Sequence, residues 1–287
     1  DVGMTSLMQP QADGEQPQEQ PPQGDAERSL HTRTIEYGSP EHEFIMRRWE
    51  RRKQTEEQRF GSAVAELFRR QQASILDRLG ARSRAEGDDE LDAILLEPFD
   101  RARWTREFRV AIRPILLAII NAHGQQALDD LGLAREFATL PEVIRFLEQR
   151  AQRFAVAVND TTWQELKASL AEAIEAGEGI PDIAKRVEAI MGDRIRSSGE
   201  VIARTEVNGA ANGGNVEAWR QSEVVHQKEW LSALIPDRTR DSHVAAHGQV
   251  VPLDGDFWVG NGYGPHPGAI GLPEEDINCL CTMRAVL

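Results

Sequence analysis

Lys228-Glu229-Trp230-Leu231, Asp237-Arg238-Thr239-Arg240-Asp241-Ser242-His243, Gly248-Gln249-Val250-Val251, Phe257, Gly264-Pro265-His266-Pro267-Gly268 and Asn278-Cys279-Leu280-Cys281 follow one another near the C-terminus of the chain. This stretch gathers both cysteines and three of the seven histidines among Gly and Pro residues that force tight backbone geometry. Its spacing predicts short strands. Val224 to Leu234 alternates as a strand does, and Asp237 to Arg240 reads as a turn. Gly248 to Leu253 and Phe257 to Val259 read as strands paired through Asp254-Gly255. Asn261 to Pro273 is a Gly/Pro loop, and Ile277 to Leu287 a closing strand. Immediately upstream, Val201 to Trp219 has the character of a helix. Asn208 and Asn212 stand four apart on one face of it, with Arg204 one turn earlier. The expectation is a small, mostly antiparallel sheet packed on this helix, with Arg204, Asn208 and Asn212 bracing the loops above it; the rival reading is a plain solvated face.

Further upstream the period changes to that of helices. Phe44, Ile45, Trp49, Phe60, Val64, Leu67 and Ile75 predict one or two long helices from Glu41 to Leu79, ended by Gly80. Arg47, Arg48, Arg51, Arg52 and Lys53 could meet DNA or an acidic partner surface, but they are interleaved with acids and read better as a solvated face with local ion pairs. A short helix is expected from Leu91 to Phe99, and a longer one from Trp104 to Asp130 around Pro114. Pro141 opens a helix to Val158, Asn159-Asp160-Thr161 caps another from Trp163 to Ala176, and Pro181 opens a third that stops at Gly192. His123, among Ile119, Ile120 and Ala122, reads as a hydrogen-bonded core histidine. Residues 1–40, rich in Gln, Pro, Gly and acids, read as a disordered linker or tail. The chain is thus expected to be α+β in class, with a tail (1–40), a helical region (41–197) and a small C-terminal α+β domain (198–287).

Composition excludes some functions. The most apolar run, Val110 to Ala122, is too short for a bilayer and contains Arg113 and Pro114, so no membrane partner is expected. A net charge of -14 argues against broad electrostatic capture of nucleic acid, and any DNA contact has to be local. Two cysteines separated by one residue close no useful loop, and suit a reducing compartment as metal ligands or small core residues.

Taken with Ala203-Arg204-Thr205-Glu206-Val207-Asn208, the order of these motifs resembles the phage head-morphogenesis domain, the Mu F-like domain of minor head proteins in tailed bacteriophages. The family shows A-R-T-E with a following Asn, K-x-W, R-x-R-D-x-H, D-G-Q-x-V, an aromatic strand, P-x-H-P-G and N-C-x-C. The resemblance runs from about Ser198 to the C-terminus, with His247 in place of an acid and Leu280 in place of a basic residue. It implies a non-enzymatic, structural role in capsid assembly and in DNA packaging or ejection. The implied partners are the portal protein, the capsid interior and packaged double-stranded DNA. The implied location is the virion, at the capsid interior or portal vertex, after assembly in the host cytoplasm. Some family members are fused behind a portal protein, so a chain that begins at Asp1 is expected to be the C-terminal part of such a fusion.

Three chemistries suit the C-terminal residues. Cys279, Cys281, His243 and His266 are the ligand types of a structural zinc site, although C-x-C is shorter than the usual ligand spacing; the alternative is buried thiols and turn-capping histidines. Glu206, Asp241 and His243 offer an acid and base for a metal-dependent nuclease or a toxin-like hydrolase, without an accompanying nucleophile or phosphate cradle. Arg240 and Asp241 also suit a self-satisfied turn, the carboxylate accepting backbone N–H groups and an arginine clamping a carbonyl.

Overall fold

A computed structural model describes residues 34–83 and 99–287, and within them long helices come first and short antiparallel strands last, an α+β arrangement. Helix α1 spans Pro40–Ser83. Its Phe60, Val64, Leu67, Gln71, Ile75 and Leu79 form a buried stripe at three- and four-residue spacing. Gly80 does not end it: an interior glycine costs a helix only about 1 kcal/mol, and the helix runs on through it. Ahead of α1, Ile35 is buried and donates its N–H to Glu229 Oε1 at 2.9 Å, so the chain from residue 34 is packed onto the C-terminal sheet. The expected helix from Leu91 and the rest of the 1–40 tail lie outside the described residues.

Helix α2, Arg101–Asp130, begins with the Asp100 carboxylate accepting the Arg103 N–H at 2.8 Å and contains Pro114 without a break. Helix α3, Pro141–Glu175, is continuous where two helices were expected. Asn159, Thr161 and Thr162 bond back to the carbonyls of Ala155, Ala157 and Val158, one turn earlier, and so sit inside the helix instead of capping a new one. Helix α4, Ile180–Asp193, passes through a π-helical turn, Arg194–Ser198, into helix α5, Gly199–Ser222.

Helix α5 is the centre. Every residue from Val207 to Trp219 is buried, which for a helix requires neighbours on all sides. Its sequence permits this because Gly209-Ala210-Ala211 and Gly213-Gly214 are small. A methyl group on Gly213 would lie 2.1 Å from the Phe146 ring of α3, and one on Gly214 would lie 2.6 Å from the Ile120 main-chain oxygen of α2. One buried apolar cluster runs from Ile35 to Met283, through the helices and the sheet.

The sheet has three strands. β1, Gln227–Leu231, lies between β2, Val250–Pro252, and β5, Thr282–Val286, both antiparallel to it, so that Lys228 pairs with Val251 on one side and Ala285 on the other. A short helix α6, Asp241–Ala246, joins β1 to β2. β3, Phe257–Val259, pairs with β4, Gly262–Gly264, and not with β2 as the spacing suggested. β2 is an edge strand of the three, and its Pro252 has no N–H to offer a further ladder. The Gln249 side chain makes the link instead, accepting the Trp258 N–H at 2.8 Å and donating to its carbonyl at 3.0 Å. A one-turn helix α7, Pro273–Asp276, precedes the cysteines. No helix among the described residues is long and apolar enough to cross a membrane.

Close packing on α5 predicts opposite outcomes for two glycines. Gly214→Ala should lower stability by about 1–3 kcal/mol, because rigid main chain blocks the new methyl. Gly80→Ala, where the methyl meets open space in a helix, should raise it by up to about 1 kcal/mol. Denaturant unfolding of both variants checks the pair; a stabilised Gly214→Ala would show that α2 and α5 are not in firm contact.

Candidate functional site

The loop carrying Cys279 and Cys281 is held from below by α5. Asn208 and Asn212 both donate to the Cys281 carbonyl, at 3.1 Å each, and Asn212 also reaches the Pro267 carbonyl at 3.4 Å. The Thr282 hydroxyl donates to Asn212 Oδ1 at 3.0 Å, and Arg204 donates to Asn278 Oδ1 at 3.1 Å. Asn278 has φ 60° and donates its N–H to the Thr205 hydroxyl at 2.8 Å, which turns the chain into the cysteine loop. The face carrying Arg204, Asn208 and Asn212 therefore bonds the loop, the asparagines at its main chain and Arg204 at the Asn278 side chain.

Asn208 does a second job. Its Oδ1 accepts from Trp49 Nε1 at 3.1 Å and from the buried Lys53 Nζ at 2.7 Å, both on α1. Burial pushes the Lys53 amine below its usual pKa, against the pull of Glu57 at 3.7 Å and of the two cysteines. The rest of that basic cluster behaves as a surface: Arg47 pairs with Glu43 at 3.3 Å, and Arg48 and Arg52 pair with Asp130 at 2.6 and 3.3 Å.

His243, on α6, points into the same loop. Its Nδ1 lies 3.3 Å from Cys281 Sγ and 3.7 Å from Cys279 Sγ, and its Nε2 lies 3.0 Å from Glu275 Oε2. All four residues are buried. Burial opposes protonation of His243, yet the hydrogen bond and charge of Cys279 outweigh it and raise the histidine pKa. The Cys279 thiol is drawn down to about 5, first by its hydrogen bond with Cys281 and then by His243, against its burial. Burial beside that thiolate drives Cys281 upward, so the pair shares one proton.

His266 does not join this group. The donor atoms that converge within 4.8 Å belong to His243, Cys279 and Cys281. His266 is buried elsewhere, its Nδ1 donating to the Pro267 carbonyl at 3.0 Å and its ring edge-on to Phe146 at 5.8 Å. Burial pushes its pKa down to about 3. The acid and base trio is likewise not assembled. Glu206 Oε2 is 3.0 Å from Arg150 Nε, Asp241 is exposed at the start of α6 with Arg240 as its flanking cap residue, and the carboxylate on His243 is that of Glu275. Asp241 contributes no side-chain cap, since the helix N-cap is Arg240, whose guanidinium donates to the Ile277 carbonyl at 2.7 Å.

Three residues here escaped sequence reasoning. Arg150, buried on α3, donates to the carbonyls of Glu206, Thr205 and Gly268 at 3.3, 3.1 and 3.3 Å, lying where any side chain on Gly209 would stand. Its signal was an arginine within the apolar stripe Val143, Leu147, Ala151, Phe154. Lys53 looked like one basic residue among several. Glu275 is one of three consecutive acids, and nothing local distinguishes it from Glu274 or Asp276.

A central helix bonded by paired asparagines to a small sheet and a C-x-C loop defines the class. Residues 164–284 match the family described as Phage Mu protein F like protein. The match begins in α3, upstream of the Ser198 boundary that the motifs suggested. Among curated proteins, the chain is 30% identical over 122 residues to the minor head protein GP7 of Bacillus phage SPP1, covering 42% of this chain and 39% of that protein. The similar stretch thus spans about two fifths of that relative. No solved structure matches.

Asn208→Ala should cost more than Asn212→Ala. The first leaves a buried ammonium and an indole N–H without their acceptor, about 3–5 kcal/mol. The second strands the Thr282 hydroxyl, about 1–3 kcal/mol. Urea titration of both variants ranks them. His266 predicts an acid-labile contribution: it is neutral when folded, with a pKa near 3, and takes up a proton at about 6.5 when unfolded, so its share of stability is complete above pH 6.5 and is lost as the pH falls toward 3. His266→Asn keeps a donor for Pro267 and does not titrate. The stability difference between the two proteins should therefore shift in favour of the variant on acidification, and parallel pH profiles would contradict this.

Proposed function

We propose that this chain is a minor head protein of a tailed phage or prophage, acting as a structural component at the portal during head assembly and genome packaging or ejection. The observation that carries the reading is the use made of the polar residues in the matched segment. Arg204, Asn208, Asn212 and Arg240 are engaged with main chain and loop groups of the protein itself, and Glu206 with Arg150. Residues held in this way maintain a shape, and a shape is what an assembly component presents to its partners. The similarity to a protein named as a phage minor head protein supports the same role.

In this proposal the C-terminal sheet and loops form the folded head-morphogenesis unit, and the long helices present the surface that docks on the portal or the capsid interior. With a net charge of -14, contact with packaged double-stranded DNA is local and sensitive to salt.

Co-expression with a tailed-phage portal protein, followed by size-exclusion chromatography and sedimentation, tests the role. Co-elution with portal oligomers is expected. Separate elution under assembly conditions, together with absence of the chain from purified particles, would remove the portal assignment.

A further inference from the structure

We propose that His243, Cys279 and Cys281 bind one borderline-soft divalent cation, zinc above others, as three protein ligands of a tetrahedral site whose fourth position is taken by a water molecule. The inference does not rest on the portal role. Three buried side chains of the types zinc prefers bring their donor atoms within 4.8 Å of one another. The spacing fits a cation. A tetrahedral centre with Zn–S of about 2.3 Å and Zn–N of about 2.0–2.1 Å requires its nitrogen and sulfur ligands to stand about 3.6 Å apart. His243 Nδ1 stands 3.3 Å from one sulfur and 3.7 Å from the other.

The surroundings are those of a ligand set and not of three inert core residues. Glu275 Oε2 lies 3.0 Å from His243 Nε2, so the carboxylate accepts a hydrogen bond from the Nε2–H and leaves the Nδ1 lone pair facing the sulfurs. A carboxylate behind a histidine is the arrangement that orients imidazole ligands and raises their basicity. Glu275 is itself fixed, accepting from the Ser242 hydroxyl at 2.8 Å. Its Oε1 lies against Gly260, where a Cβ would come within 2.1 Å of it, so the β3–β4 turn has to carry a glycine for the carboxylate to reach the histidine. Cys281 Sγ accepts the Ala233 N–H at 3.4 Å, a bond that favours thiolate over thiol.

The fourth position follows from the shape of the pocket. A cavity of about 20 Å³ touches His243, Cys279 and Cys281 and is bounded by Ala233, Arg240 and Asn278. That is room for one water. Among the described residues no fourth protein ligand converges there: His266, which the sequence offered, is turned to the Pro267 carbonyl. A cation at this point ties α6, the turn after α7 and the entry to β5 together, in a region whose strands are only three to five residues long.

The full chain purified without chelator should contain one zinc per chain by mass spectrometry. Reloading the stripped protein with cobalt(II) alone should give thiolate-to-metal charge-transfer absorption and the strong visible bands of a tetrahedral centre. Adding zinc should protect both thiols from a thiol reagent. Glu275→Gln should weaken zinc binding by roughly 10–100-fold, as loss of an outer carboxylate does. Cys279→Ser, Cys281→Ser and His243→Ala should weaken it further, and His266→Asn should leave it unchanged. If a ligand variant fails to fold, the cobalt spectrum and thiol protection of the natural chain decide. A chain that takes up neither metal and keeps both thiols reactive, a disulfide between Cys279 and Cys281, a cobalt spectrum without a thiolate band, or metal loss in His266→Asn equal to that in His243→Ala would each overturn the proposal.

Discussion

A helix with no solvent face organises this protein. Helix α5 is buried along its length from Val207 to Trp219, and small residues let α2 and α3 approach its backbone directly. Small side chains bring little apolar area of their own, so close contact with the neighbours' larger side chains supplies the dispersion and burial that a leucine-rich helix would supply itself. A buried helix also has to satisfy whatever polar groups it carries. Asn208 and Asn212 meet that requirement by bonding outward to the Cys281 carbonyl, and this joins the helix to the cysteine loop.

The same requirement links the first and last parts of the described residues. Lys53 and Trp49 on α1 reach Asn208, Arg150 on α3 takes up three carbonyls and Glu206, and Glu229 on β1 lies between the Ile35 N–H and Arg284 at 2.5 Å. Buried networks of this kind are high-stakes: satisfied, they specify one arrangement, and broken, they leave a charge in a dry interior. The cysteine loop sits over such a network, which holds His243, Cys279 and Cys281 close together without strands of any length behind them.

The family match from residue 164 covers α5, the sheet and the cysteine loop, but Trp49, Lys53, Phe146 and Arg150 lie before it. The residues that clamp the matched segment therefore come from upstream of it, from α1 and the first part of α3. In physical terms the core of the Mu F-like part is completed by upstream helices, in keeping with the single apolar cluster that runs through both.

The sequence by itself determined the class of fold and most of the elements, because helix and strand periods, proline starts and glycine-rich turns are local signals that survive without tertiary context. It also marked the asparagine face of α5 and the chemistry-bearing loops, since those residues are rare in so short a stretch. The tertiary structure alone decided the pairings. β3 met β4 and not β2, whose Pro252 has no N–H for a further ladder, and α3 stayed whole because its Asn and Thr side chains bonded back along the helix. His243 was joined to Glu275 and both cysteines while His266 was left aside, a choice made by how α6, α7 and the loop fold over one another. Partners distant in sequence leave no periodic trace in it, and which carboxylate reaches a histidine depends on distances that only the packed chain sets.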